Sequence, residues 1–99
     1  MANKEKGEVS LSIDGKEYIL KLTANSLAVA ESLSGVGSLF DMDNLGFSTV
    51  RALFFASARG QIDSINAAGE MMDTHFEAIV DATTEAYALF FQRQVNHIT

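Results

Sequence analysis

EVSLSIDGKEYILKL, residues 8–22, decides how this chain begins to fold. Two alternating runs flank Asp14 and Gly15, and Asp-Gly suits a type I′ turn, whose two central residues both need positive φ. A two-residue loop there opposes Ile13 to Lys16, Leu11 to Tyr18 and Val9 to Leu20. The apolar residues of both strands then share one face, and Ser10, Ser12 and Glu17 take the other. Ile19 breaks the pattern on the polar face, where an isolated isoleucine is ordinary surface. A lone hairpin also has two edges of unpaired backbone groups, so its own helices must cover them or another chain's strand must extend them.

Everything after Leu22 reads as helical. Thr23 or Asn25 caps a short helix carrying Leu27, Ala30 and Leu33, and Gly35 ends it. A shorter helix follows Ser38, with Asn44 to Gly46 as the break after it. Next, Phe47, Val50, Leu53, Phe54 and Ala58 recur at helical spacing up to Arg59 and Gly60. Ala52, Phe55 and Ala56 widen that apolar face, so this helix is either central or meets a partner. Ser64 caps a helix through Ile65, Ala68, Met71 and Met72, and the T-x-x-E box of Thr74 and Glu77 starts a last helix to Val95. Its apolar positions are Phe76, Ile79, Val80, Thr83, Tyr87, Phe90 and Phe91, while Glu77, Asp81 and Glu85 form an acidic strip at spacing four. The expected fold is α+β, an N-terminal antiparallel β-hairpin followed by a compact bundle of four to five α-helices. Residues 1–99 form a single domain: 1–7 flexible, 8–22 hairpin, 23–95 helical body and 96–99 a frayed end.

The chain's 99 residues are enough for one core and too few for two. A hydrophobic fraction of 47% with 20% charged residues is that of a folded chain. With no cysteine, disulfides and thiolate metal sites are excluded, and a cytosolic setting is expected. The polar start has no apolar run for a secretory signal, and no stretch reaches the roughly 18 apolar residues of a membrane span. Thirteen acidic against seven basic residues give a net charge of −6, and the cations are dispersed, so nucleic acid is not an expected partner.

Residues for catalysis are in short supply. There is no cysteine nucleophile and no G-x-S-x-G setting, and His75 and His97 are far apart and read as surface histidines. DMDNLG, residues 41–46, opens like a calcium-binding loop, but Leu45 and Ala52 stand at loop positions 5 and 12, where ligands belong. Gly35 and Gly37 make a bare G-x-G, short of a phosphate cradle. No catalytic residue, metal or cofactor is expected. The doublets Phe54–Phe55, Met71–Met72 and Phe90–Phe91 are another matter, because they offer more bulky apolar surface than one face of each helix hides. Together with Ile19 they are the candidate partner surface, and Glu77, Asp81 and Glu85 are the candidate acidic face.

Three segments in order carry a resemblance: GEVSLSIDGKEYILKLTANSLAVAESLSGVGSL (7–39), FSTVRALFFASARG (47–60) and INAAGEMMD (65–73). This order resembles the tail assembly chaperone family of siphophages and gene transfer agents, also labelled phage tail tube protein. That family's G-E-[VA]-x-L-x-[IV]-D-G hairpin leads to leucine and acidic positions, here Leu27, Glu31 and Leu33, and to a G-x-x-S-L segment, here Gly35, Ser38 and Leu39. Its V-x-A-L-L-x-A-G-L-R-like helix matches Val50, Ala52, Leu53, Phe54, Ala56 and Arg59. Its A-G-E-L-I-D-like element matches Ala68 to Asp73. Ser57 and Ala58 stand where glycine and leucine are usual, and Met71 and Met72 replace branched aliphatics.

The resemblance implies a non-catalytic protein that coats the long, aggregation-prone tape measure protein and yields it as tail tube protein polymerises. The implied partners are therefore the tape measure and tail tube proteins, with a homo-oligomer as a further expectation from the broad apolar faces. Two other functions fit the residues: a tail tube or tail-completion structural protein, and a small acidic regulatory binding module that neutralises a basic partner. Salt separates the last from a chaperone, because it screens an acidic strip and leaves apolar contacts intact.

Overall fold

The computed structural model describes residues 2–34 and 46–98, with side chains through 33 in the first segment and 94 in the second. Strands β1 (Val9–Ile13) and β2 (Lys16–Leu20) pair antiparallel in the expected register: Val9 with Leu20, Leu11 with Tyr18, Ile13 with Lys16. Asp14 at φ 52° and Gly15 at φ 81° make the turn, both in the left-handed region that the type I′ geometry needs. The inner face of Val9, Leu11, Ile13, Tyr18 and Leu20 is buried. Lys4–Lys6, inside the stretch expected to be flexible, forms a 3-10 turn. The Asn3 side chain caps that turn, and Gly7 closes it at φ 81°.

Three helices follow among the described residues: α1 (Ala24–Ser34), α2 (Phe47–Ser57) and α3 (Ile65–Ile98). Thr23, and not Asn25, caps α1, its Oγ1 accepting from the Ser26 amide at 3.1 Å. Ser64 caps α3 in the same way, accepting from the Ala67 amide at 3.0 Å. The α+β class therefore stands, but a bundle of four to five helices does not. The short helix expected after Ser38 lies outside the described residues. The expected break at Thr74 is a kink inside one continuous element, at His75 with φ −129° and ψ 37°.

The physical reason for that difference lies in the Thr74 hydroxyl. Instead of capping the Glu77 amide, it turns back to the Met71 carbonyl at 3.4 Å. That carbonyl is the regular helical acceptor for the amide of His75, the residue that departs from helical geometry. The chain bends there without stopping.

Helix α2 is the central one, packed on α1 to one side and α3 to the other, while α3 also lies against the hairpin. This explains the wide apolar face of α2: Ala52 and Ala56 are buried along with Val50, Leu53 and Phe54. Leu20, Leu22, Leu53, Phe54 and Ile79 are fully buried at the centre, each contributing about 1.5–3 kcal/mol relative to exposure. Ser57 is buried too; its hydroxyl donates to the Phe54 carbonyl at 2.8 Å, and its own carbonyl accepts from the Lys21 amide at 2.9 Å. That last bond ties the exit of β2 to the end of α2.

Candidate functional site

Consecutive helical residues point about 100° apart, so a bulky doublet cannot keep both members on one face. Each doublet divides accordingly. Phe54 is 0% exposed, and Met72 and Phe90 are also core residues, so none of the three belongs to an accessible partner surface. Phe55, Met71 and Phe91 are half-buried and pack against the core edge. Ile19 is half-buried as well, with the Gln61 side chain bonded to its backbone. The expected surface is thus scattered and half missing.

A different apolar site is open. The first turns of α2 and the N-terminal half of α3 enclose a groove of about 460 Å³ lined by Phe47, Ser48, Arg51, Gly69, Met72, Asp73 and Phe76. Phe47 is 75% exposed and Phe76 42%, and their rings meet at 5.4 Å between centroids, tilted by 50°. Both were expected on buried helical faces. Phe47 begins α2 beside Gly46 and so has no preceding turn to pack under, while Phe76 follows the His75 kink, which turns it off the inner face.

Gly69 lets the two helices approach, because a Cβ there would lie 3.2 Å from Arg51 Cδ. The Arg51 side chain therefore runs across α3 along the groove. Its Nε is shielded from water and has no hydrogen-bond partner among the described residues. The groove combines two exposed rings, a methionine and a guanidinium, with Asp73 at its rim, a lining suited to an apolar side chain accompanied by a hydrogen-bond acceptor. A second, shallower hollow of about 260 Å³ lies between α1 and α2, lined by Asn25, Ser26, Val29, Phe55, Ala56, Arg59 and Gly60.

The acidic face is present on α3. Glu77 and Asp81 are exposed, whereas Glu85 is 3.2 Å from Lys4 Nζ, so one of the three charges is already countered. His75 Nε2 lies 3.5 Å from an Asp14 carboxylate oxygen, linking the hairpin tip to the kink. The side chain of His97 and the calcium-like segment 41–45 lie outside the described residues. No group of three or more His, Cys, Asp or Glu able to hold a metal exists among the described residues, and none of their helices is long and apolar enough to cross a membrane.

Sequence reasoning missed Phe47, Arg51, Gly69 and Phe76 as a unit. A faint signal was present: the small run Ala67-Ala68-Gly69 marks a close helix approach, and whatever crosses there borders a groove. No protein-family model, no curated protein and no solved structure matches the chain.

Proposed function

We propose that this protein is a non-catalytic assembly chaperone of the phage tail type, holding an apolar helical stretch of a long partner, the tape measure protein, until tail tube subunits replace it. The observation that carries the reading is the exposed Phe47–Phe76 pair over the groove between α2 and α3. Reversible coating calls for an accessible apolar surface of modest size, and a net charge of −6 keeps the loaded complex soluble. The ordered resemblance over residues 7–91 supports the same role. A single hairpin among the described residues favours a chaperone over a tube subunit, which needs a larger sheet to close a ring.

The test is co-expression with the long helical protein encoded just downstream, measuring how much of it becomes soluble and co-purifies. The expected result is a soluble complex that survives about 1 M salt, where surface charges are screened beyond about 3 Å, and that is lost in the Phe47→Ser/Phe76→Ser double variant. A partner that stays insoluble overturns the reading. A complex that dissolves as salt rises transfers binding to the Glu77–Asp81 face and favours the acidic regulatory module.

A further inference from the structure

The two edges of the hairpin are treated differently. In a two-residue hairpin the residues flanking the loop form a bonded pair, so Ile13–Lys16, Leu11–Tyr18 and Val9–Leu20 exchange the ladder bonds, and the backbone groups of the residues between them point outward. On β2 both outward backbone groups of Ile19 bond Gln61, and just past the strand the Lys21 amide bonds the Ser57 carbonyl, which leaves only Glu17, next to the turn, without a partner among the described residues. On β1 the outward amide of Glu8 bonds the Asn3 carbonyl at 3.0 Å. The outward N–H and C=O of Ser10 and Ser12 then have no partner among the described residues.

We propose that β1 pairs with β1 of a second copy of this chain, making a four-stranded antiparallel sheet across a two-fold axis at Leu11. The strand VSLSI is nearly palindromic, and this carries the choice of occupant. About that axis Ser10 of each copy opposes Ser12 of the other as a bonded pair, giving four backbone hydrogen bonds, with hydroxyls facing hydroxyls on the outer face. On the inner face Leu11 opposes its own copy and Val9 opposes Ile13, so the apolar layer continues from one copy into the next. The strand carries no charge, no proline and no bulge, the devices that usually guard an edge. Asn3 ends the seam at Glu8. This pairing rests on the hairpin edge and on none of the residues that line the groove, and it stands independently of the chaperone reading.

Sedimentation equilibrium from about 1 μM to 1 mM, with hydrogen exchange at both ends of that range, tests it. The wild-type chain is expected to dimerise with concentration, and the Ser10 and Ser12 amides to become protected as it does. The Ser10→Lys/Ser12→Lys variant changes only exposed side chains but puts like charges opposite each other twice, and should weaken the dimer about tenfold or more. The Ser10→Lys/Ser12→Glu variant puts opposite charges at the same two places and should return it to within about threefold of wild type. Circular dichroism confirms that both variants keep the fold. A wild-type chain that stays monomeric overturns the proposal and leaves the edge to another protein's strand, and so does a dimer indifferent to both charge patterns.

Discussion

The carboxamide of Gln61 stands in for a third strand beside Ile19: its Oε1 accepts from the Ile19 amide at 2.9 Å, and its Nε2 donates to the Ile19 carbonyl at 2.6 Å. The same Nε2 is 2.5 Å from the Ala58 carbonyl, which fixes the plug to the end of α2. One side chain thereby satisfies both outward groups of Ile19 and fastens the hairpin to the helices. Gln61→Ala should lower stability by about 2 kcal/mol, the net worth of these bonds to part-buried groups, and accelerate exchange of the Ile19 amide; urea titration and hydrogen exchange measure both. Gln61→Glu keeps the acceptor but aims a carboxylate at two carbonyls, which raises its folded-state pKa above the free carboxyl value of about 4. Its deficit should therefore be smallest below pH 4, where the protonated group donates, and grow as pH rises through the carboxyl range.

A second long-range tie joins α3 to both ends of the hairpin segment. Arg93 donates from Nη2 to the Leu22 carbonyl at 2.9 Å, and its guanidinium passes so close to Gly7 that a Cβ there would sit 2.8 Å from Nε. Gly7 is also at φ 81°, where a side chain adds strain of about 1 kcal/mol. Gly7→Ala should cost more in the wild-type chain than in an Arg93→Ala background, where the strain remains and the collision is gone. A double-mutant cycle by denaturant unfolding should show a coupling of about 1 kcal/mol; equal costs in both backgrounds would refute the clamp.

The hairpin was legible because its information is local: alternation sets the faces and Asp14-Gly15 sets the register. Thr23 and Ser64 were legible caps for the same reason, since each acts within three residues of itself. Thr74 misled because one hydroxyl can cap forward or bond backward, and the T-x-x-E spacing is the same in either case. The doublets misled because period alone does not say which of two adjacent residues a neighbouring helix covers. Gln61 and Arg93 carried no readable signal, as their acceptors lie 42 and 71 residues away. The groove shares that obscurity, its walls being brought together only where Arg51 crosses Gly69.

Thr83 sits among the apolar positions of α3 and is buried, and its Oγ1 has no hydrogen-bond partner among the described residues. A stranded hydroxyl costs its desolvation and returns nothing. Thr83→Val has nearly the same shape and should raise stability by about 1 kcal/mol, read as a higher urea midpoint at unchanged slope. A loss of stability would mean that the hydroxyl is satisfied in solution.

Burial pushes the Tyr87 phenol above its ordinary pKa of about 10. The folded state thus favours the neutral ring. Stability from this source is fully present below pH 10 and is lost as pH rises through the folded-state value. Tyr87→Phe has no proton to lose there, so the stability difference between wild type and variant should be flat from pH 7 to about 9.5 and turn against the wild type above it. Parallel urea titrations across that range measure it, and a difference that stays flat to pH 11 would place the phenol in water.

Phe47 and Phe54 lie two turns apart on α2 and should answer mutation in opposite ways. Phe54 is fully buried, so Phe54→Ala opens a cavity at the centre of the fold and should cost about 3–5 kcal/mol. Phe47 is three-quarters exposed and touches chiefly the Phe76 ring, so Phe47→Ser should cost under about 1 kcal/mol and leave the melting temperature within a few degrees. If the groove holds an apolar partner, the same substitution should abolish co-purification of that partner, because an exposed aromatic anchor contributes to binding what it does not contribute to folding. A Phe47→Ser chain that loses its fold would make the ring part of the core, and one that keeps both fold and partner would move the docking surface away from the α2–α3 groove.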